Sequence, residues 1–215
     1  MNLNLATLPL PLPPAANPAA TPRRRRRFGN LDLDSGALTH FCEIADALEP
    51  DQPVPGADAI VTAARTLSRQ FAGMRDAPCI RLRLRCLAAM RAMSAEQDWD
   101  LDGAKQKRIE LIADYAANLD GLIPDTLPVI GHLDDAVLVD LVWPSLRSDL
   151  DEYLDYRRLR AEEAMLQGCR PHEIPFSKQL WQQARYAEQA WRAHVQQRGQ
   201  CSYLAVSAPT AFRIH

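Results

Sequence analysis

Apolar positions recur at intervals of three and four residues along most of the chain, which is the spacing of amphipathic helices. The first such segment starts at Ser35, a favourable N-cap, and ends before the prolines that follow Leu48. Further segments cover residues 57–74, 79–93, 103–119, 133–143, 144–167 and 177–197. The pattern therefore predicts an all-α protein, a bundle of about six or seven helices.

Residues 79–86 are the ambiguous segment, because they read Cys-Ile-Arg-Leu-Arg-Leu-Arg-Cys. Strict alternation of apolar and polar residues is typical of a half-buried strand. Alanines continue the segment at helical spacing, and a lone strand among helices would have no partner to pair with. We therefore interpret residues 79–93 as a helix, with Arg81 and Arg85 one turn apart.

The last two predicted helices are defined by punctuation and by an apolar stripe. Pro144 fits the first turn of a helix, so we expect a new helix to begin there and to end at Gly168. In the final helix we expect the inner face to be an apolar stripe and the glutamine- and arginine-rich side to be exposed or partner-facing. The stripe consists of Leu180, Ala184, Ala187, Trp191 and Val195.

The two ends of the chain lack a helical pattern. Residues 1–30 combine a proline-rich stretch with the run Arg23, Arg24, Arg25, Arg26 and Arg27, and proline excludes helix, so we predict a disordered arm. The rest divides into an N-terminal helical part (residues 31–100), a second helical part (residues 101–200) and a tail (residues 201–215).

Charge is distributed in opposed blocks, although the formal net charge of the chain is only −2. Residues 60–94 hold seven arginines against one acid, whereas residues 96–163 hold 17 acids against seven bases. Five cysteines without a C-x-x-C pair argue against a disulfide framework and favour the cytoplasm. No apolar run approaches the length of a membrane span, so only peripheral membrane association is left open.

Residues 119–143 are the most constrained stretch and read LDGLIPDTLPVIGHLDDAVLVDLVW. Pro124 and Pro128 cannot lie deep in a helix, so we predict an apolar connection that folds back onto the core. Gly131 allows a positive φ or a close backbone approach. We expect the next helix to begin at Leu133 and to place its acids beside the positive end of the helix dipole.

These residues resemble the signature of a bacterial helical family, the YkvA-like family or domain of unknown function 1232. The matching positions are Leu122, Ile123, Pro124, Asp125, Leu127, Pro128, Ile130, Gly131, Leu133, Asp134 and Asp135. Leu119 and Gly121 depart from the pattern, which usually has a proline and an acid there. The resemblance implies a small helical protein, associated with membranes in some members, and it implies no reaction and no cofactor.

The motif brings Asp125, His132, Asp134 and Asp135 within 11 residues. Our first interpretation is structural, with these acids serving as helix caps and as salt-bridge partners of the arginine-rich segment 81–91. Carboxylates and imidazole also suit a divalent metal, and paired acids suit acid–base catalysis, so both remain alternatives. The chain has no nucleophile motif and no glycine-rich phosphate loop.

The leading hypothesis is a cytoplasmic, non-enzymatic helical scaffold or adaptor that binds a protein partner or an anionic membrane surface. It assigns no catalytic residue and no cofactor. One alternative is a metal-binding module or metal-dependent enzyme at the motif. Another is nucleic-acid binding through Arg23–Arg27 and through the anion-binding candidates Arg81, Arg83 and Arg85.

Overall fold

The computed structural model of the protein describes residues 3–13, 27–28, 31–118 and 121–200. This part contains six α-helices: α1 (Ser35–Leu48), α2 (Ala57–Gln70), α3 (Pro78–Ala95), α4 (Gly103–Ala117), α5 (Leu133–Gln167) and α6 (Lys178–Gln200). Short 3-10 helices lie at Leu5–Thr7, Gln97–Trp99 and Pro171–Glu173. Two strands of two residues, β1 (Arg27–Phe28) and β2 (Leu31–Asp32), pair in antiparallel fashion. The predicted all-α class is confirmed.

Aspartates are the N-caps of two helices, and at α1 the N-cap is Asp34 and not the predicted Ser35. The Asp34 carboxylate accepts a hydrogen bond from the Ala37 N–H at 2.9 Å, so Ser35 becomes the first residue of α1. Asp102 accepts hydrogen bonds in the same way from the Ala104 and Lys105 N–H groups in the first turn of α4. Each cap satisfies backbone donors that have no partner within the helix.

The ambiguous arginine-rich segment is a helix, as predicted. α3 buries Ile80, Arg83, Leu87 and Met90 at helical spacing, and it packs against α4. Arg81 and Arg85 are four residues apart and lie on the exposed side of α3, whereas Arg83 between them is buried.

The prediction of a separate helix at Pro144 is wrong, because α5 runs through this proline without a break. A proline inside a helix removes one backbone hydrogen bond and costs about 3 kcal/mol. Pro144 itself is exposed, while Leu141, Val142 and Leu146 beside it are buried. Burying each such side chain stabilises by about 1.5–3 kcal/mol, which offsets the proline. The two expected helices are therefore one.

The chain divides into two compact units, residues 1–155 and residues 156–215. In the first unit the start of α5 lies in the core, since every residue from Leu133 to Val139 is buried. Trp99 is fully buried and meets the ring of Tyr153 edge-on at a centroid distance of 5.5 Å. The acidic linker before α4 is thus anchored to the core by its tryptophan.

Of the N-terminal arm for which disorder is predicted, the structure describes residues 3–13 and 27–28. Leu3, Leu5 and Leu10 are buried, and the Leu8 carbonyl accepts a hydrogen bond from Arg83. Burial of these leucines stabilises the stretch, although its prolines exclude an α-helix. Arg23 to Arg26 and the tail, residues 201–215, lie outside the described residues, and only the backbone of Arg27 is described.

In the second unit, the end of α5 is joined to α6 by a connection that Arg160 and Tyr156 hold in place. Arg160 Nε donates to the Pro171 carbonyl at 2.6 Å, and the Tyr156 hydroxyl donates to the Phe176 carbonyl at 2.7 Å. None of the described helices has the length and apolar character needed to cross a membrane.

Candidate functional site: the Asp125–His132–Asp135 cluster and the α6 surface

The motif loop, residues 121–132, is a partly buried connection built on successive turns. The Leu127 N–H donates to the Pro124 carbonyl at 3.0 Å, and the Gly131 N–H donates to the Leu127 carbonyl at 2.9 Å. Leu122, Ile123, Val129 and Ile130 are all buried. The apolar residues that would be unfavourable in an exposed loop therefore pack into the first unit.

Gly131 is required for a close backbone approach and not for a positive φ. A Cβ atom at this position would lie 2.5 Å from the Asp125 carbonyl oxygen and 2.8 Å from that of Leu127. The positive φ angles occur instead at Val129 (72°) and His132 (62°). These conformations are costly for residues with side chains and persist only where neighbouring contacts hold them.

The strained backbone of Val129 is held by the segment that precedes α3. Its N–H donates to the Arg75 carbonyl at 2.6 Å, and its carbonyl accepts from the Ala77 N–H at 3.1 Å. The motif loop is thereby paired, as a single parallel bridge, with the segment that precedes α3. No local feature of the sequence indicates this pairing.

His132 lies between two carboxylates. Its Nδ1 atom is 3.0 Å from Asp125 Oδ1 and 2.9 Å from Asp135 Oδ2. Asp135 is almost fully buried, whereas the side chains of His132 and Asp125 are 29% and 27% exposed. Burial, followed by the charge of Asp134, raises the pKa of Asp135 to about 6, although its hydrogen bond to His132 opposes the shift.

Asp134 belongs to a different contact set, although it is adjacent in sequence. Its Oδ2 accepts from the Tyr115 hydroxyl at 2.9 Å and from the Ile123 N–H at 3.1 Å. Burial raises the pKa of Asp134, and these two hydrogen bonds oppose the rise. Tyr115 also accepts from the Leu122 N–H, so α4, the loop and α5 meet at this pair.

Gly121 lies close to the Tyr115–Asp134 pair. A Cβ atom on Gly121 would lie 3.0 Å from Asp134 Oδ2 and 3.9 Å from the Tyr115 hydroxyl oxygen. Gly121 also lies on an open cleft of about 500 Å³, together with His40, Asn118 and Pro124. No pattern in the sequence predicts this cleft.

The prediction that the arginines of α3 neutralise the motif acids is wrong for the described residues. Arg83 is 2% exposed and forms a bidentate pair with Asp140, with both N–O distances at 2.8 Å. It also donates to the carbonyls of Leu8 and Cys79. Arg83 is therefore committed to internal contacts and is not a surface anion-binding residue. Burial raises the pKa of Asp140, and the adjacent Arg83 opposes that rise.

One sequence signal pointed to this pair. Asp140 is the single charged residue in the apolar run from Ala136 to Trp143, and a buried charge requires a partner. Arg81 and Arg85, in contrast, are exposed, and neither forms an ion pair within the part of the chain that the structure describes. Their anion-binding role stays a prediction.

The apolar stripe of α6 does not pack inward. We define the α6 seam as Leu180, Ala184, Ala187, Trp191 and Val195; all five are exposed, with Leu180 at 44%, Trp191 at 66% and Val195 at 48%. Trp181, on a neighbouring face, is the buried residue among the α6 side chains that the structure describes. The basic side chains of Arg185 and Arg192 both pair with Glu188.

Comparison with models of protein families gives no match for this chain, and no curated protein and no solved structure matches it. The resemblance to the YkvA-like family therefore stays a prediction from the motif residues.

Proposed function

We propose that the chain is a non-enzymatic helical adaptor of the YkvA-like family. Its partner on the α6 seam is an acidic amphipathic helix of another protein. The exposure of the seam is the observation that carries this proposal, because large apolar side chains left in contiguous contact with water mark interaction sites. The motif loop then serves to hold α4 and α5 together through Tyr115 and Asp134.

The shape of the seam favours a helix as the partner. Its residues follow one another at intervals of four, three, four and four, close to the repeat of a coiled-coil interface. The stripe is narrow and is flanked by glutamines and charged residues. A helix that lies on a membrane needs a wider apolar face, whereas a narrow stripe is the width that one packed helix covers.

The charge of α6 favours an acidic partner. The helix carries four basic residues, Lys178, Arg185, Arg192 and Arg198, against Glu188 alone, a formal charge of +3. A second copy of the same helix would bring like charges together, which is unfavourable at an interface. Complementary charge on a partner helix would instead increase the association rate and the specificity.

The test uses Trp191 as the reporter, since Trp99 and Trp181 are buried and Trp143 is half-buried. The full chain is titrated with a designed acidic peptide that has leucine at the a and d positions and glutamate at e and g. We expect a blue shift of tryptophan emission, protection from acrylamide quenching, and weaker binding as salt is added.

Two variants with the same charge change separate the seam from the rest of α6. Ala187→Glu places a carboxylate within the seam, and we expect it to weaken peptide binding at least about tenfold, equivalent to about 1.4 kcal/mol. Ala193→Glu is the matched control, because Ala193 is also exposed but lies on the opposite side of the helix. Equal loss in both variants would contradict docking on the seam.

Two other outcomes would overturn the acidic-helix partner. If the emission of Trp191 responds to vesicles of anionic phospholipid and not to the peptide, the surface binds membranes. If the chain alone elutes as a dimer that Ala187→Glu dissociates, the seam joins two copies.

A further inference from the structure

A second feature, independent of the α6 seam, is the convergence of three side chains at the start of α5. Asp125 comes from the motif loop, His132 ends this loop, and Asp135 lies in the first turn of the helix. One potential ligand atom from each lies within 4.8 Å of the others. The set combines two carboxylate oxygens with one imidazole nitrogen.

The two nitrogen–oxygen distances match those between neighbouring ligands of a six-coordinate cation. Oxygen and nitrogen ligands at about 2.1 Å from a metal at right angles lie about 3.0 Å apart, whereas tetrahedral ligands lie about 3.3–3.4 Å apart. Nδ1 of His132 is 3.0 Å and 2.9 Å from the two carboxylate oxygens. The imidazole nitrogen is therefore next to both acids at a spacing that neighbouring ligands of one ion have and that hydrogen bonds also have.

The cluster also carries excess negative charge. Asp134, next in sequence, brings a third carboxyl group, which is 1% exposed and whose Oδ1 has no hydrogen-bond partner in the described structure. No lysine or arginine of the described segments pairs with any of these acids, since Arg83 is held by Asp140. Buried carboxylates are normally paired or bound to a metal, and here one imidazole faces two carboxylates, with a third buried next to Asp135 in sequence.

His132 reaches its position through a left-handed backbone conformation with a φ of 62°. This places its Nδ1 against both carboxylates, while about a quarter of each of the His132 and Asp125 side chains stays open to water. Water can therefore complete the coordination shell from outside. The nitrogen ligand favours first-row transition metals over Mg²⁺ and Ca²⁺, which prefer oxygen.

We propose that Asp125, His132 and Asp135 form a binding site for a divalent first-row transition-metal ion in six-coordinate geometry, with Mn²⁺ as its probe. The ion would tie the motif loop to the start of α5 and neutralise the acids there. The role of the ion is structural, and no substrate is assigned to the site.

The test starts from the chain stripped with a chelator and titrated with Mn²⁺, with free ion measured by electron paramagnetic resonance. We expect one ion bound per chain and an increase in melting temperature. Pulsed electron paramagnetic resonance of the wild-type Mn²⁺ complex should show coupling between the Mn²⁺ electron spin and one directly bound nitrogen nucleus. This result depends on no variant. Mg²⁺ should compete weakly.

Two variants locate the site. Asp125→Asn should weaken Mn²⁺ binding by more than the roughly 10–100-fold that loss of an outer-shell partner costs. His132→Asn keeps a residue that tolerates the left-handed conformation, and it should abolish the nitrogen coupling. Asp151→Asn is the matched control, since Asp151 is an exposed acid on the same helix.

Three results would overturn the site. These are no binding of Mn²⁺ at millimolar concentration, binding without nitrogen coupling, and equal loss of affinity in Asp125→Asn and Asp151→Asn. Because neither variant touches α6, failure of the metal site leaves the peptide test of the α6 seam unaffected.

Discussion

Replacing Arg83 by leucine tests how the first unit is held together. Arg83 joins three elements, because its guanidinium pairs with Asp140 of α5 and donates to the Leu8 carbonyl of the N-terminal arm from within α3. Leucine keeps the helix and fills part of the space, but it leaves the Asp140 carboxylate without its counter-charge.

The expected cost follows from the burial of the pair. Breaking a buried ion pair by removing one partner costs about 3–5 kcal/mol. Asp140 retains 29% side-chain exposure, so water reaches the stranded carboxylate, and we expect the lower end of that range, about 3 kcal/mol. The double variant Arg83→Leu/Asp140→Leu removes both charges, and we expect it to recover about 1–2 kcal/mol relative to the single variant.

Urea unfolding followed by circular dichroism measures these differences. With a slope of about 1–3 kcal/mol per molar urea, a loss of about 3 kcal/mol moves the midpoint by about 1 M or more. Limited proteolysis should also cut residues 3–13 faster in Arg83→Leu, because the arm loses its hydrogen bond. The reasoning is refuted if the single variant loses less than about 1 kcal/mol, or if the double variant is no more stable than the single one.

Two further predictions concern tight packing and buried thiols. Gly131→Ala should destabilise the chain by about 1–3 kcal/mol in thermal melts, because its Cβ would meet backbone oxygens at 2.5 and 2.8 Å. Gly103→Ala is the control and should be neutral, since a Cβ atom there would have no neighbour within 4 Å. Equal melting temperatures for the two variants would contradict the steric argument. Burial raises the pKa of Cys86 to about 11, so its thiolate is scarce at pH 8 and grows only as pH rises towards that value. Mass spectrometry should show maleimide on Cys86 only after unfolding, and rapid labelling of the native chain at pH 8 would contradict the burial.

The helices were predictable wherever local spacing decides them. α1, α2 and α4 lie where apolar residues recur at three and four, and α3 is a helix because a lone strand has no partner. The prediction of a helix start at Pro144 was wrong because the cost of a proline inside a helix is outweighed by the burial of apolar side chains before and after Pro144 in the first unit.

The candidate site was predictable in its residues but not in their grouping. Asp125, His132, Asp134 and Asp135 stand out because they are close in sequence, yet adjacent helical residues point about 100° apart. Asp134 therefore turns to Tyr115, 19 residues away, while Asp135 turns to His132. Side-chain partners across such separations depend on packing and not on local pattern.

The sequence by itself determined the helical class, the positions of most helices and the constrained motif, because these depend on contacts within a few residues. Only the tertiary structure decided that Arg83 is buried against Asp140, that leucines of the arm are anchored, and that the α6 seam is exposed. Burial and ion pairing are set by which surfaces meet in space, and the same periodicity describes an inward stripe and an exposed one.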